Sequence, residues 1–273
     1  MSTQIYYFSG TGNSFHIAKE LQGRMPGTML ISMVGAVRSG QMEATAVTVG
    51  FVFPIHCLCV PFFVKRFLRK VNLESASYLF AITSRECSAK VFSEADQVLS
   101  KQNRRLDACF SVQMPETYLP VFEVDSEDEI RRKEAVMLRE LDFIESVITS
   151  HKKFRKPDPR EIGMYIYYII RPVLVFIYHK TRYFNLENRF YADEKCTGCG
   201  LCRDICPSER IDIREGKPVW DRNTDCIFCF ACIHYCPAHA IQIKRSKTAV
   251  RGRYHHPDVR AGEIIHQKAS PGH

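Results

Sequence analysis

The sequence predicts a doubly wound α/β domain with a parallel five-stranded sheet, followed by a small α+β module organised by metal. Three observations lead there. Apolar, β-rich runs alternate with helical stretches over the first half of the chain. The first of these runs enters a small polar loop, Ser9-Gly10-Thr11-Gly12-Asn13-Ser14, and then a helical pattern. Toward the other end, two stretches repeat one cysteine spacing, C-x2-C-x2-C-x3-C, each closed by a proline.

Taken in order, Gln4–Phe8 is a short apolar, aromatic run that reads as a buried first strand. Thr28–Ser32 is a weaker second strand. Val47–Phe53 and Ser77–Thr83 are continuous β-rich runs, and Ala108–Met114 supplies the fifth. Helical stretches lie at Phe15–Leu21, Val60–Val71 and Ser88–Leu106. A long, charged amphipathic helix starts at Ser126, whose spacing to Glu129 fits a capping box, and runs to about Ser150. Strands alternating with helices in this way wind a parallel sheet, and ligands of such sheets sit beyond the carboxyl ends of the strands.

That rule directs attention to three loops. Strand, small polar loop, helix is the geometry that turns backbone N–H groups and a helix N-terminus toward a phosphate. Gly10 and Gly12 permit a tight turn and close approach, while Ser9, Thr11, Asn13 and Ser14 add donors. The lysine of a triphosphatase loop is missing, as is the third glycine of a dinucleotide turn. A loop with hydroxyls and no cation resembles the one that holds the terminal phosphate of FMN in flavodoxins. The alternative is a plain polar turn in which Asn13 or Ser14 caps the helix. Pro54-Ile55-His56-Cys57-Leu58-Cys59 follows the third strand and Thr83-Ser84-Arg85-Glu86-Cys87-Ser88 the fourth. Pro54, Ile55, His56, Cys57, Thr83, Ser84 and Arg85 would flank the isoalloxazine ring. Cys57, Cys59 and Cys87 are either thiols beside that ring or small buried hydrophobes, and Cys109 reads as core. His56 either donates to flavin or substrate, or is structural.

The cysteine runs are Cys196, Cys199, Cys202, Cys206 with Pro207, and Cys226, Cys229, Cys232, Cys236 with Pro237. This spacing wraps a short loop around a [4Fe–4S] cube, with the fourth thiolate reaching the neighbouring cube. One cluster is therefore assigned to Cys196, Cys199, Cys202 and Cys236, and the other to Cys226, Cys229, Cys232 and Cys206. The repeat extends further, since an offset of 30 residues also maps Ile211 onto Ile241 and Ile213 onto Ile243. A zinc ribbon would leave half the thiols idle. A disulfide framework needs an oxidising compartment, and the start Met1-Ser2-Thr3-Gln4-Ile5 carries no secretory signal, so a cytoplasmic location is expected. The formal charge of +8 counts every cysteine as neutral. Eight ligating thiolates and two oxidised cubes together lower it by about four, and a bound phosphate by about two more. The basic excess thus balances the cofactors, and no nucleic-acid partner is required.

With Tyr7-Phe8-Ser9-Gly10-Thr11-Gly12-Asn13-Ser14, Phe53-Pro54, Met114-Pro115-Glu116-Thr117-Tyr118-Leu119-Pro120 and the two cysteine runs, the chain up to about residue 245 resembles the flavodoxin–ferredoxin fusion proteins. The resemblance implies a flavodoxin-like FMN-binding domain over 1–152, a helical or irregular connector over 153–186, and a 2[4Fe–4S] ferredoxin-like domain over 187–245. A basic, disordered tail over 246–273 completes the expected organisation; a weaker reading has it steer acidic partners to the clusters. The implied function is electron transfer between the clusters and FMN, and with ferredoxin- or flavodoxin-like redox partners. A flavin-dependent reductase of a small organic or disulfide substrate is the alternative, and a redox sensor a further one. Glycines usual after the fourth strand of the family are replaced here by Arg85-Glu86-Cys87. The apolar stretch Ile162–Tyr178 is interrupted by Arg171-Pro172 and reads as a connector packed between domains, not as a membrane span.

Overall fold

The computed structural model describes residues 2–84, 90–155, 172–173, 176–177 and 185–269. Its N-terminal half is one parallel sheet of six strands: β1 (Thr3–Tyr7), β2 (Thr28–Ser32), β3 (Thr48–Phe53), β4 (Tyr78–Thr83), β5 (Ala108–Ser111) and β6 (Phe154–Arg155), in the order 2-1-3-4-5-6. The first five strands follow the flavodoxin-like order. β1, β3 and β4 lie inside the sheet and are buried along their whole length, as their unbroken apolar runs require.

Side chains of β1 alternate between two cores. Tyr6, with Phe8 just beyond the strand, packs with Phe51, Phe67 and Leu79 under α2 (Met33–Ser39), α3 (Phe62–Leu68) and α4 (Lys90–Leu99). Ile5 and Tyr7 face the other way, toward Leu21 of α1 (Asn13–Arg24) and Leu141 and Ile144 of α5 (Glu127–Thr149). Ser126 caps α5 as expected, its hydroxyl accepting from the Glu129 N–H at 3.3 Å. The Glu129 carboxylate pairs instead with Arg132 at 2.6 Å.

The sheet corrects the sequence reading in two places. A sixth strand, β6, pairs parallel to β5 where the connector was expected to begin. Two residues carry no readable periodicity; Phe154 is held by stacking on Phe110 at 5.2 Å and Arg155 by Asp96 at 2.7 Å. The helix α2 also went unread. It spans seven residues and is started by Ser32, whose hydroxyl accepts from Val34 and Gly35.

The cysteine-bearing module is small and regular. β7 (Phe190–Ala192) pairs antiparallel with β10 (Ile241–Ile243), and β8 (Ile211–Arg214) with β9 (Lys217–Trp220). A short helix follows each cluster loop: α6 (Leu201–Ile205) and α7 (Ala231–His234). The tail expected to be disordered is packed. Residues 246–269 are described, with Thr248, Tyr254, His256, Val259, Ile264 and Gln267 buried and a last helix, α8 (Ala261–His266). Its apolar residues, spaced too irregularly for a helix or strand pattern, meet the core of the cysteine module. Most of the connector, including nearly all of Ile162–Tyr178, lies outside the described residues.

Candidate functional site

The cysteines converge in the crossed arrangement that their spacing suggests. Cys196, Cys199, Cys202 and Cys236 line one small cavity, walled by Ile213, Pro218 and Ile241. Burial raises the Cys202 thiol to about 11, and the neighbouring Cys236, Cys199 and Cys196 push in the same direction. Burial likewise raises Cys226 to about 11, and a thiol from the other run, Cys206, pushes in the same direction. Cys229 and Cys232 are raised further, by burial first and then by Cys206 and Cys226 among other thiols. Two sets of four soft sulfur donors in apolar sleeves fit [4Fe–4S] clusters. Backbone N–H groups already face the sulfurs, with Phe228 N at 3.4 Å from Cys226 Sγ and Ala240 N at 3.3 Å from Cys236 Sγ. Such bonds orient thiolates and favour the reduced cluster.

The two loops sit in different surroundings. Cys199 is exposed, and Lys217 reaches the Cys196 carbonyl at 3.0 Å, so a cationic edge borders the first cluster position. The second loop is turned inward. Phe228 and Phe230 are buried with Leu119 and Cys59 of the N-terminal domain, and Tyr118 meets the Phe230 ring edge-on at 5.6 Å. Arg210 lies beside it, 2% exposed. Its Nε donates to the Asp221 carbonyl at 2.7 Å. Its Nη1, 3.8 Å from Glu187 Oε2, makes no hydrogen bond among the described residues, and the guanidinium draws the Cys226 thiol down against burial.

The polar loop after β1 lies directly beneath this second cluster loop. All six of its residues, Ser9 to Ser14, are buried. A Cβ on Gly10 would stand 1.9 Å from the Cys229 carbonyl oxygen, and one on Gly12 would stand 2.9 Å from both His256 and Val259. The close approach that these glycines permit is thus made by the chain itself. Several of its polar groups are engaged in the same way. Ser9 N donates to Gln267 Oε1 at 3.3 Å, and Gly12 N to Ser9 Oγ at 3.1 Å. Asn13 donates to the Pro115 carbonyl at 3.1 Å and accepts from the Tyr254 hydroxyl at 2.9 Å. Ser14 Oγ pairs with Ser84 Oγ at 2.8 Å, and Thr11 O accepts from His256 N at 2.8 Å. A phosphate of FMN does not fit this loop as it is folded.

The other expected flavin contacts are correspondingly placed. Pro54 and Ile55 lead into a tight turn in which His56 and Cys59 exchange backbone hydrogen bonds at 3.1 and 3.0 Å, with Cys57 and Leu58 at positive φ. Burial lowers His56 to about 4, so it is neutral at pH 7. Cys59 is fully buried, and Cys57 packs at the edge of the same apolar cluster. Thr83 and Ser84 are buried at the end of β4; Arg85, Glu86, Cys87 and Ser88 lie outside the described residues. Cys109 is a core thiol, raised to about 12 by burial. Sequence reasoning missed Gln267, Tyr254, His256 and Glu134, each of which acts through residues far away along the chain, and Arg210, which acts on Asp221, Glu187 and Cys226 of its own module. Among the described residues no helix is long and apolar enough to cross a membrane.

Comparison with known proteins agrees with the cysteine geometry. Residues 195–241, which contain all eight cysteines of the two runs, match the 4Fe-4S dicluster domain family. No curated protein matches the chain. Among solved structures the chain is similar to the Trp repressor binding protein from Bacillus subtilis, at 10% identity over 52% of this chain and 96% of that one, with a TM-score of 0.32. A likeness so loose carries no argument, and the description of the N-terminal half rests on its strand order. The match and the thiol geometry together support iron–sulfur electron transfer for the C-terminal module.

Proposed function

We propose that this chain is a one-electron carrier built around two [4Fe–4S] clusters, one held by Cys196, Cys199, Cys202 and Cys236, the other by Cys226, Cys229, Cys232 and Cys206. Its partners are redox proteins of the ferredoxin or flavodoxin type. The observation that carries the reading is the crossed convergence of the thiols, three from one run with the fourth from the other. Each cluster, when bound, exchanges one electron at a time. The chain's own residues exclude water with Ile213, Phe228, Phe230 and Ile241, and present backbone N–H groups to sulfur. Exposed Cys199, with Lys195 and Lys217 nearby in sequence or space, marks the face that an acidic partner would meet.

Relay to FMN, and a flavin-dependent reductase, both need the phosphate loop to accept a ligand, and its present packing does not support them. The redox-sensor reading has one observation in its favour. The C-terminal segment lies against the second cluster loop, Val259 and Ile264 packing near Cys229 and Cys232, where a change in cluster charge would be felt. Anaerobic reconstitution followed by iron and sulfide analysis tests the main reading. The expected result is about eight iron atoms per chain, with both clusters reduced by a ferredoxin system. Stoichiometric zinc in place of iron would overturn it.

A further inference from the structure

The loop after β1 has the sequence of a phosphate cradle and the contacts of a socket. Gln267 enters it from the far end of the chain: its carboxamide accepts from Ser9 N at 3.3 Å and donates to Ser9 O at 3.0 Å, with the side chain buried. Tyr254 and His256 bond Asn13 and Thr11 from the side, and Val259 fills the space over Gly12. The Cys229 carbonyl rests on Gly10 from above. Every one of these partners belongs to the cysteine module or to the segment that follows it.

The segment is fastened at further points. His256 Nδ1 accepts from Asp258 N at 3.3 Å, so its proton is on Nε2, which donates to Glu134 Oε2 at 3.2 Å. His16 Nε2 meets the other carboxylate oxygen at 2.8 Å, and the two imidazoles stack at 3.7 Å. Burial alone would raise the Glu134 carboxyl; the bonds from His16 and His256 outweigh it and hold the group at about 2. This triad has the composition of a metal site, but its nearly parallel stacked rings do not aim at one point. It works as a clasp joining α1, α5 and the C-terminal segment. Lys19 and Glu263 add an ion pair at 2.9 Å, and Tyr235 donates to the Val259 carbonyl at 3.1 Å.

We propose that Ser9–Ser14 is the docking socket for the cluster module and its C-terminal strap, residues 254–267, and that the N-terminal domain of this chain holds no FMN. Ser9 N and O, Thr11 O and Asn13 Oδ1 bond the strap, Gly12 makes room for His256 and Val259, and Gly10 seats the Cys229 carbonyl of the second cluster loop. The flavodoxin-like half is a scaffold that buries one face of that cluster. The inference is independent of which partners the clusters serve, because it concerns flavin content and attachment, which are read apart from electron transfer.

The full-length chain, reconstituted anaerobically with iron and sulfide, is titrated with FMN and, separately, with riboflavin. Neither is expected to bind stoichiometrically. Gly10→Ala and Gln267→Ala, made in the full chain, then discriminate a socket from a cradle. A socket loses attachment: tryptic cleavage after Arg260 and Lys268 speeds up about tenfold or more, a loosening of roughly 1.4 kcal/mol. Iron is lost preferentially from the second cluster, seen as a fall toward half occupancy by electron paramagnetic resonance. Gln267→Ala cannot clash, so it decides the matter if Gly10→Ala fails to fold. Stoichiometric FMN on the native chain overturns the proposal. So does a folded Gln267→Ala whose strap is cleaved no faster than that of the native protein.

Discussion

The two cluster loops share one cysteine spacing and differ at the residues between. Gly198 and Gly200 of the first adopt φ of 71° and 81°; Phe228 and Phe230, their counterparts in the second, adopt 54° and 57°. Left-handed backbone costs a non-glycine residue roughly 1–2 kcal/mol. The second loop bears that cost at both positions, and its phenylalanines are offset by burial among Leu119, Leu186, Phe190 and Ile233. One copy of a duplicated ligand set has stayed open, with Cys199 at the surface. The other has become the apolar contact by which the module is attached. The lesson is that the ligand spacing is indifferent to what lies between the ligands, so duplication leaves those positions free to divide exposure from anchoring.

The sharpest way to break this contrast is to remove one thiol from each loop. Cys199→Ser should lose about half the iron and leave the domains joined. Cys229→Ser should lose its cluster and also open the contact with the N-terminal domain, lowering the melting midpoint much further. Iron analysis with calorimetry checks both, and equal midpoints would remove the distinction. Next in size is Phe228→Ala, expected to cost about 3–5 kcal/mol through the cavity it leaves, against about 1 kcal/mol for Gly200→Ala, which has room for a methyl and only strains the backbone. Denaturant unfolding monitored at the cluster absorbance gives both values, and a Gly200→Ala penalty matching that of Phe228→Ala would contradict the assignment.

The third test is acid. Glu134 is depressed in the folded chain to about 2 from an ordinary carboxylate value of 4.5, so its contribution is complete above pH 4.5 and is lost as pH falls toward 2. The contribution is at most about 3 kcal/mol, reduced because the side chain is partly wet. Protection factors in residues 254–267, exchange rates divided by their intrinsic rates at each pH, should therefore fall between pH 4.5 and 3 in the native chain. Glu134→Gln should already show low protection there at pH 6, with no further fall in that window. Exchange in the first cluster loop should follow neither change. The smallest effect belongs to Arg210→Lys. Loss of the guanidinium donor beside Cys226 should lower the midpoint potential of the second cluster alone, measured by a redox titration followed by paramagnetic resonance. An equal shift of both clusters would place Arg210's influence elsewhere.

Much of this molecule is readable residue by residue. The strands β1, β3, β4 and β5 announce themselves because strands buried on both faces are short unbroken apolar runs, and the half-exposed β2 is correspondingly weaker. The cap at Ser126 and the cysteine spacing are equally local. The two-residue β6 and the seven-residue α2 escape because neither is long enough to show a period. Gln267 escapes for a different reason. It lies 258 residues from Ser9, and nothing near it in the chain distinguishes it from any surface glutamine. The basic stretch after Lys244 suggests solvation by composition alone, yet Tyr254, His256, Val259 and Ile264 bury within it.

Composition and spacing were enough to establish a wound parallel sheet, a duplicated quartet of thiols and the metal that such quartets hold, because each depends on neighbours a few residues apart. That Gln267, Val259 and the Cys229 carbonyl pack into Ser9–Ser14 was decided only by the tertiary structure, which brings distant segments together there. The loop presents the same polar groups and glycines in any fold, and those groups bond whatever partner the fold brings within about 3 Å of them.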